Sequence, residues 1–181
     1  MTRKFGASLG VIALVVCALS GSPAVAMEPD PDALKSQISA LKAEIEQLRG
    51  QLPGQSHSMT DVDYQFTNLW FAANAQNWPL ATFYLNETRS HIGWTVRLRP
   101  IRKLASGQDL DLRPLQQAIE QSGLMKLRAA LDKHDGKAFK GAYQHTLDEC
   151  HACHVASEKP FLRPGIPTAP ATHLIQMRPG S

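Results

Sequence analysis

The first clear pattern of apolar and polar positions is a heptad repeat within residues 29–52. Its apolar residues follow one another at alternating intervals of four and three: Leu34, Ile38, Leu41, Ile45, Leu48 and Leu52. Isoleucine at one core position and leucine at the other favour a parallel two-stranded coiled coil. The repeat predicts a homo-oligomer joined through residues 34–52. Because three heptads are marginal for a free coiled coil, an amphipathic helix folded back on its own domain is the alternative.

Four stretches with helical periodicity follow a short linker at residues 53–59, and none of the sequence predicts a convincing strand. The predicted helices cover residues 60–76, 78–99, 111–134 and 137–157. Pro79 suits the start of the second helix, and Pro100 ends it. Four helices of this length joined by short turns predict an all-α fold, an antiparallel four-helix bundle over residues 60–158.

The last segment, residues 159–181, contains five prolines and cannot form a helix. It also carries apolar residues, among them Phe161, Leu162 and Leu174, which are unfavourable to leave in water. We expect an extended proline-rich tail that lies over the bundle.

The N-terminal residues have the features of a secretory signal peptide. Arg3 and Lys4 precede an apolar run, and Ala24-Val25-Ala26 supplies the small residues before a cleavage site. The apolar run is too short for a transmembrane helix, so no integral membrane span is expected. Residues 1–26 are therefore predicted to be removed on export to a bacterial periplasm.

Removal of this leader changes both the charge and the cysteine content. The whole chain has 19 Lys and Arg against 16 Asp and Glu, so without Arg3 and Lys4 the 17 remaining cations leave a net charge of +1. A nearly neutral domain attracts a phosphate backbone weakly, which argues against nucleic acid as a partner. Cys17 also leaves with the leader, and only Cys150 and Cys153 remain.

Those two cysteines belong to the segment Cys150-His151-Ala152-Cys153-His154. The spacing Cys-x-x-Cys-His is the attachment signature of c-type haem. Two thiols three residues apart can each add to one porphyrin vinyl group, and the adjacent imidazole can then coordinate the iron. We therefore predict one covalent haem c, held through Cys150 and Cys153, with His154 as the proximal iron ligand.

Zinc binding and dithiol redox chemistry are the alternatives for this segment. A structural zinc site usually shows a second paired motif, and the remaining histidines are scattered singly. A thioredoxin-like dithiol is expected at a helix N-terminus beside a βαβ unit, whereas this motif lies near the end of a helix. Both cysteines also continue an apolar stripe at intervals of four and three, formed by Phe139, Tyr143, Thr146, Cys150 and Cys153.

The helix count, the late position of the motif and the residues Cys150 to His154 together resemble the cytochrome c′ class. In that class, four antiparallel helices enclose one haem, attached near the end of the last helix. The resemblance covers roughly residues 60–158. It implies thioether links at Cys150 and Cys153 and axial coordination by His154. It also implies an iron that often lacks a strong sixth ligand and can bind nitric oxide or carbon monoxide.

The second predicted helix offers a candidate for the distal side of the haem. Its stripe contains two polar residues, Glu87 and His91, whose burial without partners would be costly. We therefore expect His91 to be a distal ligand or pocket residue, with a hydrogen-bonded His91–Glu87 pair as the simpler alternative. His57, Met59 and Met125 are weaker candidates. Aromatic residues that could wall the pocket are Trp70, Phe71, Trp78, Phe83, Tyr84 and Trp94.

These features favour a non-catalytic haem protein that transfers an electron to a redox partner protein or binds a diatomic gas such as NO or CO. The alternative is a small haem enzyme that reduces peroxide or nitrogen oxides. Such an enzyme would need an acid or base beside the iron, and Glu87 and His91 are the candidates. The cations of residues 97–103 are expected to complement a helix C-terminus, or else to dock a partner or anchor the haem propionates.

Overall fold

The computed structural model describes residues 30–180. The predicted leader, residues 1–26, and Ser181 lie outside the described residues. The described chain is mostly helical, which confirms the all-α class. Its helices are α1 (Pro31–Gln51), α2 (Gln55–Asn74), α3 (Trp78–Leu98), α4 (Arg113–Ile119), α5 (Met125–Asp132) and α6 (Gly136–Ala156), with a π-helical turn at Glu120–Leu124. None of these helices combines the length and the apolar content that crossing a membrane requires.

Helix α1 contains the boundary between two compact units, one ending at Gln47 and the other beginning at Leu48. Its first turn is capped by Asp30, whose Oδ1 accepts a hydrogen bond from the Asp32 backbone N–H at 3.0 Å. No side chain of α1 is buried. The apolar seam predicted from the heptads is therefore exposed along the helix.

Helix α2 begins at Gln55, five residues before the predicted start, so that the joint after α1 is shorter than the predicted linker. Tertiary hydrogen bonds explain the difference. The Gln55 side chain donates from Nε2 to the Arg99 carbonyl at 2.9 Å and accepts at Oε1 from Arg102 at 2.6 Å. These contacts fix the first turn of α2, in which Ser56, His57 and Ser58 have weaker helix preference than Gln55.

The core of the second unit takes its buried side chains from α2, α3, the α4–α5 segment and α6. Val62, Phe66, Leu69 and Ala73 form a buried stripe on α2. In α3, Trp94, one of the aromatics expected to wall the pocket, is 52% exposed, whereas Leu85 is fully buried. The main cluster includes Phe66, Leu69, Ala72, Ala81, Tyr84, Leu85, Leu124, Leu127, Leu131, Phe139, Tyr143 and Leu147.

A small antiparallel hairpin, which the sequence did not predict, connects α3 to α4. Strand β1 (Ile101–Lys103) pairs with β2 (Asp109–Asp111), and Ile101 lies opposite Asp111. Gly107 adopts a φ of +87° in the connecting turn, a conformation that glycine accepts without a Cβ penalty. Strands of three residues are too short to show an alternating pattern, which is why the sequence missed them.

The proline-rich tail contacts the helices of the second unit at a few points, although Phe161, Leu162 and Leu174, on which the prediction rested, are exposed. The Ala171 backbone N–H donates to Asn68 Oδ1 at 3.0 Å, and Met177 packs against the core cluster. Other apolar tail residues remain exposed: Leu174 is 92% exposed and Phe161 is 74% exposed. The tail is therefore held at a few points along its length.

Candidate cofactor site

A cavity of about 740 Å³ lies in the second unit, within the range of roughly 300–1,000 Å³ that is usual for ligand pockets. Helices α2, α3, α4 and α6, strand β1 and the start of the tail all contribute to its wall. Apolar side chains supply much of the lining, including Val62, Phe66, Ile92, Val96, Leu112, Leu115, Ile119, Leu147 and Leu162. Such a cavity suits a large, mostly apolar cofactor.

Cys150 and Cys153 both line this cavity from the last two turns of α6. They continue the buried stripe of Phe139, Tyr143 and Thr146, as the intervals of four and three predicted. Neither cysteine forms a disulfide, and both are partly buried. Their spacing on one helix face places the two thiols on the same wall of the cavity.

Burial raises the pKa of both thiols. For Cys150 the pKa rises to about 12, first through burial and then through the neighbouring Cys153 and Glu149. For Cys153 burial also raises the pKa, against opposing contributions from Ser157 and Arg102. Reactive redox cysteines have a lowered pKa instead, because the thiolate is the nucleophile. The environment of this pair therefore differs from that of a redox dithiol.

His154 also lines the cavity, and a backbone carbonyl of the tail fixes its ring. Its Nδ1 lies 2.5 Å from the Leu162 carbonyl oxygen. Because a carbonyl only accepts hydrogen bonds, the proton of the neutral ring must be on Nδ1, which leaves the lone pair on Nε2. Metal-binding histidines usually donate their other ring nitrogen to a carbonyl or carboxylate in this way. His154 thus has the tautomer that coordination through Nε2 requires.

His151, the histidine inside the motif, plays a different part. Its Nε2 lies 3.0 Å from the Pro160 carbonyl oxygen, to which it donates. Together the two histidines bind carbonyls at both ends of the segment Pro160–Leu162. The tail turns at Glu158, which adopts a positive φ of 57°, and Lys159 N–H donates to the His154 carbonyl at 2.8 Å. The first residues of the tail are therefore held against the motif.

Among the described residues of the cavity wall, three are cationic: Arg102 on β1, and Lys159 and Arg163 in the tail. The Nε of Arg102 is buried and has no hydrogen-bond partner in the described chain, although its Nη1 donates to Gln55. An unpaired buried donor is costly, since it has lost its water without gaining a partner. An anionic group in the cavity would relieve that cost.

Met59, near the start of α2, is the only methionine in the described lining of the cavity. Its thioether is a candidate second axial ligand to an iron in this cavity. Met125, which the sequence offered as an equally weak candidate for the distal ligand, is 59% exposed on α5. His57 likewise falls outside the described lining.

His91, the first choice from the sequence, also falls outside the described lining of the cavity. Its ring lies between two carboxylates, with Nδ1 3.8 Å from Asp61 and Nε2 3.9 Å from Glu87. The His91 side chain is 30% exposed to solvent. His91 thus lies next to Glu87 one turn away, as in the simpler alternative, although 3.9 Å is longer than a hydrogen bond. The structure therefore brings Cys150, Cys153 and His154 together and leaves His91 apart.

The aromatic wall of the cavity also differs from the predicted set. Phe66, Tyr143 and Phe161 line it, whereas the six aromatics expected from α2 and α3 are not among the described lining residues. Phe66 and Tyr143 stack with ring centroids 4.2 Å apart, and the Tyr143 hydroxyl donates to the Phe66 carbonyl at 2.9 Å. Burial raises the pKa of Tyr143, which keeps the phenol neutral. These two rings form a rigid, uncharged part of the wall.

Within residues 30–180, no group of three or more His, Cys, Asp or Glu side chains is arranged to hold a metal ion. Cys150, Cys153 and His154 therefore do not form a three-ligand zinc site here. A haem iron has a different requirement, because the porphyrin supplies four ligands and the protein needs to supply only one or two.

No protein-family model, curated protein or solved structure matches the chain.

Proposed function

We propose that this protein is an exported monohaem c-type cytochrome of the periplasm that transfers electrons. The observation that carries the proposal is the convergence of Cys150, Cys153 and His154 on one apolar cavity, with the Nδ1 proton of His154 engaged by the Leu162 carbonyl. The predicted leader agrees with this chemistry, because haem c is attached outside the cytoplasm. Neither a redox dithiol nor a zinc site would account for the cavity beside these residues.

Attachment of the haem needs no oxidant or reductant. Each thiol would add across one vinyl group, with the sulfur bonding to the vinyl carbon next to the ring and the thiol proton going to the terminal carbon. Cys150 and Cys153 would hold the porphyrin in this way, and His154 Nε2 would coordinate the iron. Once bound, the haem supplies a one-electron couple whose potential depends on its axial ligands and on its burial.

The fold that we propose around the haem is an antiparallel four-helix bundle of the cytochrome c′ kind. Its helices would be α2, α3, the continuous α4–α5 segment and α6. Support comes from the shared core cluster, to which all four contribute, and from the short connection between α2 and α3. The motif lies in the last helix, as it does in that class.

The propionates of the haem are proposed to pair with cations in the cavity wall. Arg102 is the first candidate, because its buried Nε has no partner in the described chain. It belongs to the cationic segment 97–103, for which propionate binding was one interpretation. Lys159 and Arg163 lie in the same wall. Guanidinium–carboxylate pairs are among the strong hydrogen bonds of proteins.

Met59 favours electron transfer over gas binding. A methionine opposite a histidine gives a six-coordinate iron of raised potential, as in the electron-transfer cytochromes c. The enzyme alternative relied on Glu87 and His91, and neither is among the described residues that line the cavity. Electron transfer to a redox partner protein is therefore the function that the cavity supports best.

Replacing Met59 by alanine tests the sixth ligand. We expect the ferrous wild-type protein to be low-spin and to keep its spectrum under carbon monoxide. Met59→Ala should become high-spin and bind carbon monoxide stoichiometrically, because the iron loses one axial ligand while the covalent attachment remains. Absorption spectra of both oxidation states, with and without carbon monoxide, measure this.

The matched control is Met125→Ala, which removes the same side chain from an exposed position on α5. It should keep the wild-type spectra. If wild-type protein itself binds carbon monoxide readily, Met59 is not a ligand and gas binding becomes the favoured function.

The presence of a covalent haem is tested on the exported wild-type protein. Its intact mass should equal that of the polypeptide plus one haem, and the added mass should survive denaturation and acid acetone extraction. Alkaline pyridine should give the ferrous spectrum of a haem with both vinyl groups saturated. A polypeptide of unmodified mass from the periplasmic fraction would overturn the proposed function.

A further inference from the structure

Helix α1 presents an exposed apolar seam along its whole length. Five of its core-type residues keep between 44% and 57% of their exposure: Leu34, Ile38, Leu41, Ile45 and Leu48. In heptad notation the leucines at 34, 41 and 48 occupy position d and the isoleucines at 38 and 45 occupy position a. Aligned large apolar residues are unusual on a free surface and mark a surface that associates with a partner.

The residues that flank the seam are sorted by charge. Each position directly after a d leucine is basic, namely Lys35, Lys42 and Arg49. Each position directly before an a position is acidic or uncharged: Asp30, Gln37, Glu44 and Gln51. These are the e and g positions, which set partner choice and orientation in coiled coils. The e edge of the seam is thus basic, and the charged residues of the g edge are all acidic.

In a parallel, in-register pair, a g residue of one helix faces the e residue five positions later on the other. Asp30 would face Lys35 of the partner subunit, and Glu44 would face Arg49 of the partner subunit. By symmetry each pair occurs twice, which gives four attractive pairs and no like-charge pair. Gln37 faces Lys42 of the partner subunit without repulsion.

An antiparallel pair would reverse this arrangement. There the e edge of one helix faces the e edge of the other, and the g edges likewise face each other. Three cations would then lie along three cations, and acidic residues would lie along acidic residues. Like charges in such contacts are destabilising. The charge pattern therefore discriminates between the two orientations, which the apolar seam alone does not.

We propose that α1 forms a parallel, in-register coiled coil with α1 of a second copy of this chain. Isoleucine at a with leucine at d selects two strands, and the sorted charges select the parallel orientation. The proposal does not depend on the haem, because α1 contributes no residue to the cavity described above. Each dimer would bring together two copies of the domain that follows α1.

The first test compares two double variants of the full exported protein by sedimentation equilibrium. Ile38→Lys with Ile45→Lys places two charges in the seam and should convert a dimer into a monomer. Ser36→Lys with Ala43→Lys is the matched control, because it adds the same side chains seven residues apart at the outer f positions. The control should remain dimeric. A wild-type protein that is monomeric at all concentrations, or a seam variant that remains dimeric, would overturn the proposal.

The second test addresses orientation. Glu44→Lys alone and Arg49→Glu alone each replace two attractive pairs with two repulsive ones, so each homodimer should weaken on the order of tenfold. Mixing the two variants should restore association. The lysine introduced at position 44 of one chain then faces the glutamate introduced at position 49 of the other. The native Glu44 of the second chain faces the native Arg49 of the first. In an antiparallel pair positions 44 and 49 do not face each other, so mixing would not restore association. Failure of rescue would therefore overturn the parallel orientation.

Discussion

Replacing both Cys150 and Cys153 by serine should leave the exported polypeptide without covalent haem. Serine hydroxyls do not add to the vinyl groups, so no bond between porphyrin and chain survives denaturation. The intact mass should drop to that of the polypeptide, and haem-dependent peroxidase staining of a denaturing gel should disappear. Each single variant keeps one thioether and should keep covalent haem in reduced yield, with a ferrous absorption band shifted to longer wavelength by the remaining vinyl group.

The control for this experiment is Ala152→Ser, which places a serine in the same helical turn and keeps both thiols. Residue 152 lines the edge of the cavity but is exposed, and a serine hydroxyl adds only one small polar atom there. This variant should keep covalent haem at the wild-type level. Covalent haem in the double cysteine variant would contradict the proposed attachment, and loss of haem in Ala152→Ser would mean that the helical turn, rather than the sulfur chemistry, controls attachment.

The inward position of Cys150 and Cys153 could be predicted from the sequence because the apolar stripe of α6 has a clear helical period. Phe139, Tyr143 and Thr146 fix the inward face of the helix, and the same intervals carry that face to Cys150 and Cys153. The carbonyl that orients His154 was not accessible. It belongs to the backbone of Leu162, and the position of a backbone group in a proline-rich tail depends on tertiary contacts that no side-chain pattern records.

The inward face of α3 was predicted only in part, because that helix has apolar residues around much of its circumference. Trp94 was expected to wall the pocket but is exposed, whereas the buried residues of α3 include the small Ala81 and Thr88 as well as Tyr84 and Leu85. Small residues let neighbouring helices approach closely, so their burial leaves little signal in hydropathy. Trp94 instead lies under the Arg97 guanidinium at 5.2 Å, an arrangement that satisfies an exposed indole.

A second feature absent from the sequence prediction is the π-helical turn between α4 and α5, where Gly123 is buried against α6. Its backbone N–H donates to Glu149 Oε2 at 3.0 Å. A Cβ on residue 123 would collide with that oxygen and would lie 2.5 Å from Thr146 Oγ1. Thr146 is buried and its hydroxyl donates to the Ala142 carbonyl at 2.8 Å, so it has little room to move. Close approach of the two helices therefore requires glycine at this position.

Gly123→Ala should destabilise the protein even though alanine is the better helix former. The gain in helix propensity is about 1 kcal/mol, whereas overpacking a filled site typically costs roughly 1–3 kcal/mol and displacing Glu149 leaves the buried Gly123 N–H unpaired at a further ~1 kcal/mol or more. We expect a net loss of about 2 kcal/mol in the free energy of unfolding. Gly141→Ala on α6 should instead stabilise by roughly 0.5–1 kcal/mol, because no atom lies within 4 Å of its added Cβ. Guanidinium titrations followed by far-ultraviolet circular dichroism compare both variants with the wild type. Equal, stabilising shifts of the two variants would show that α6 does not pack against the π-helical turn as closely as these distances require.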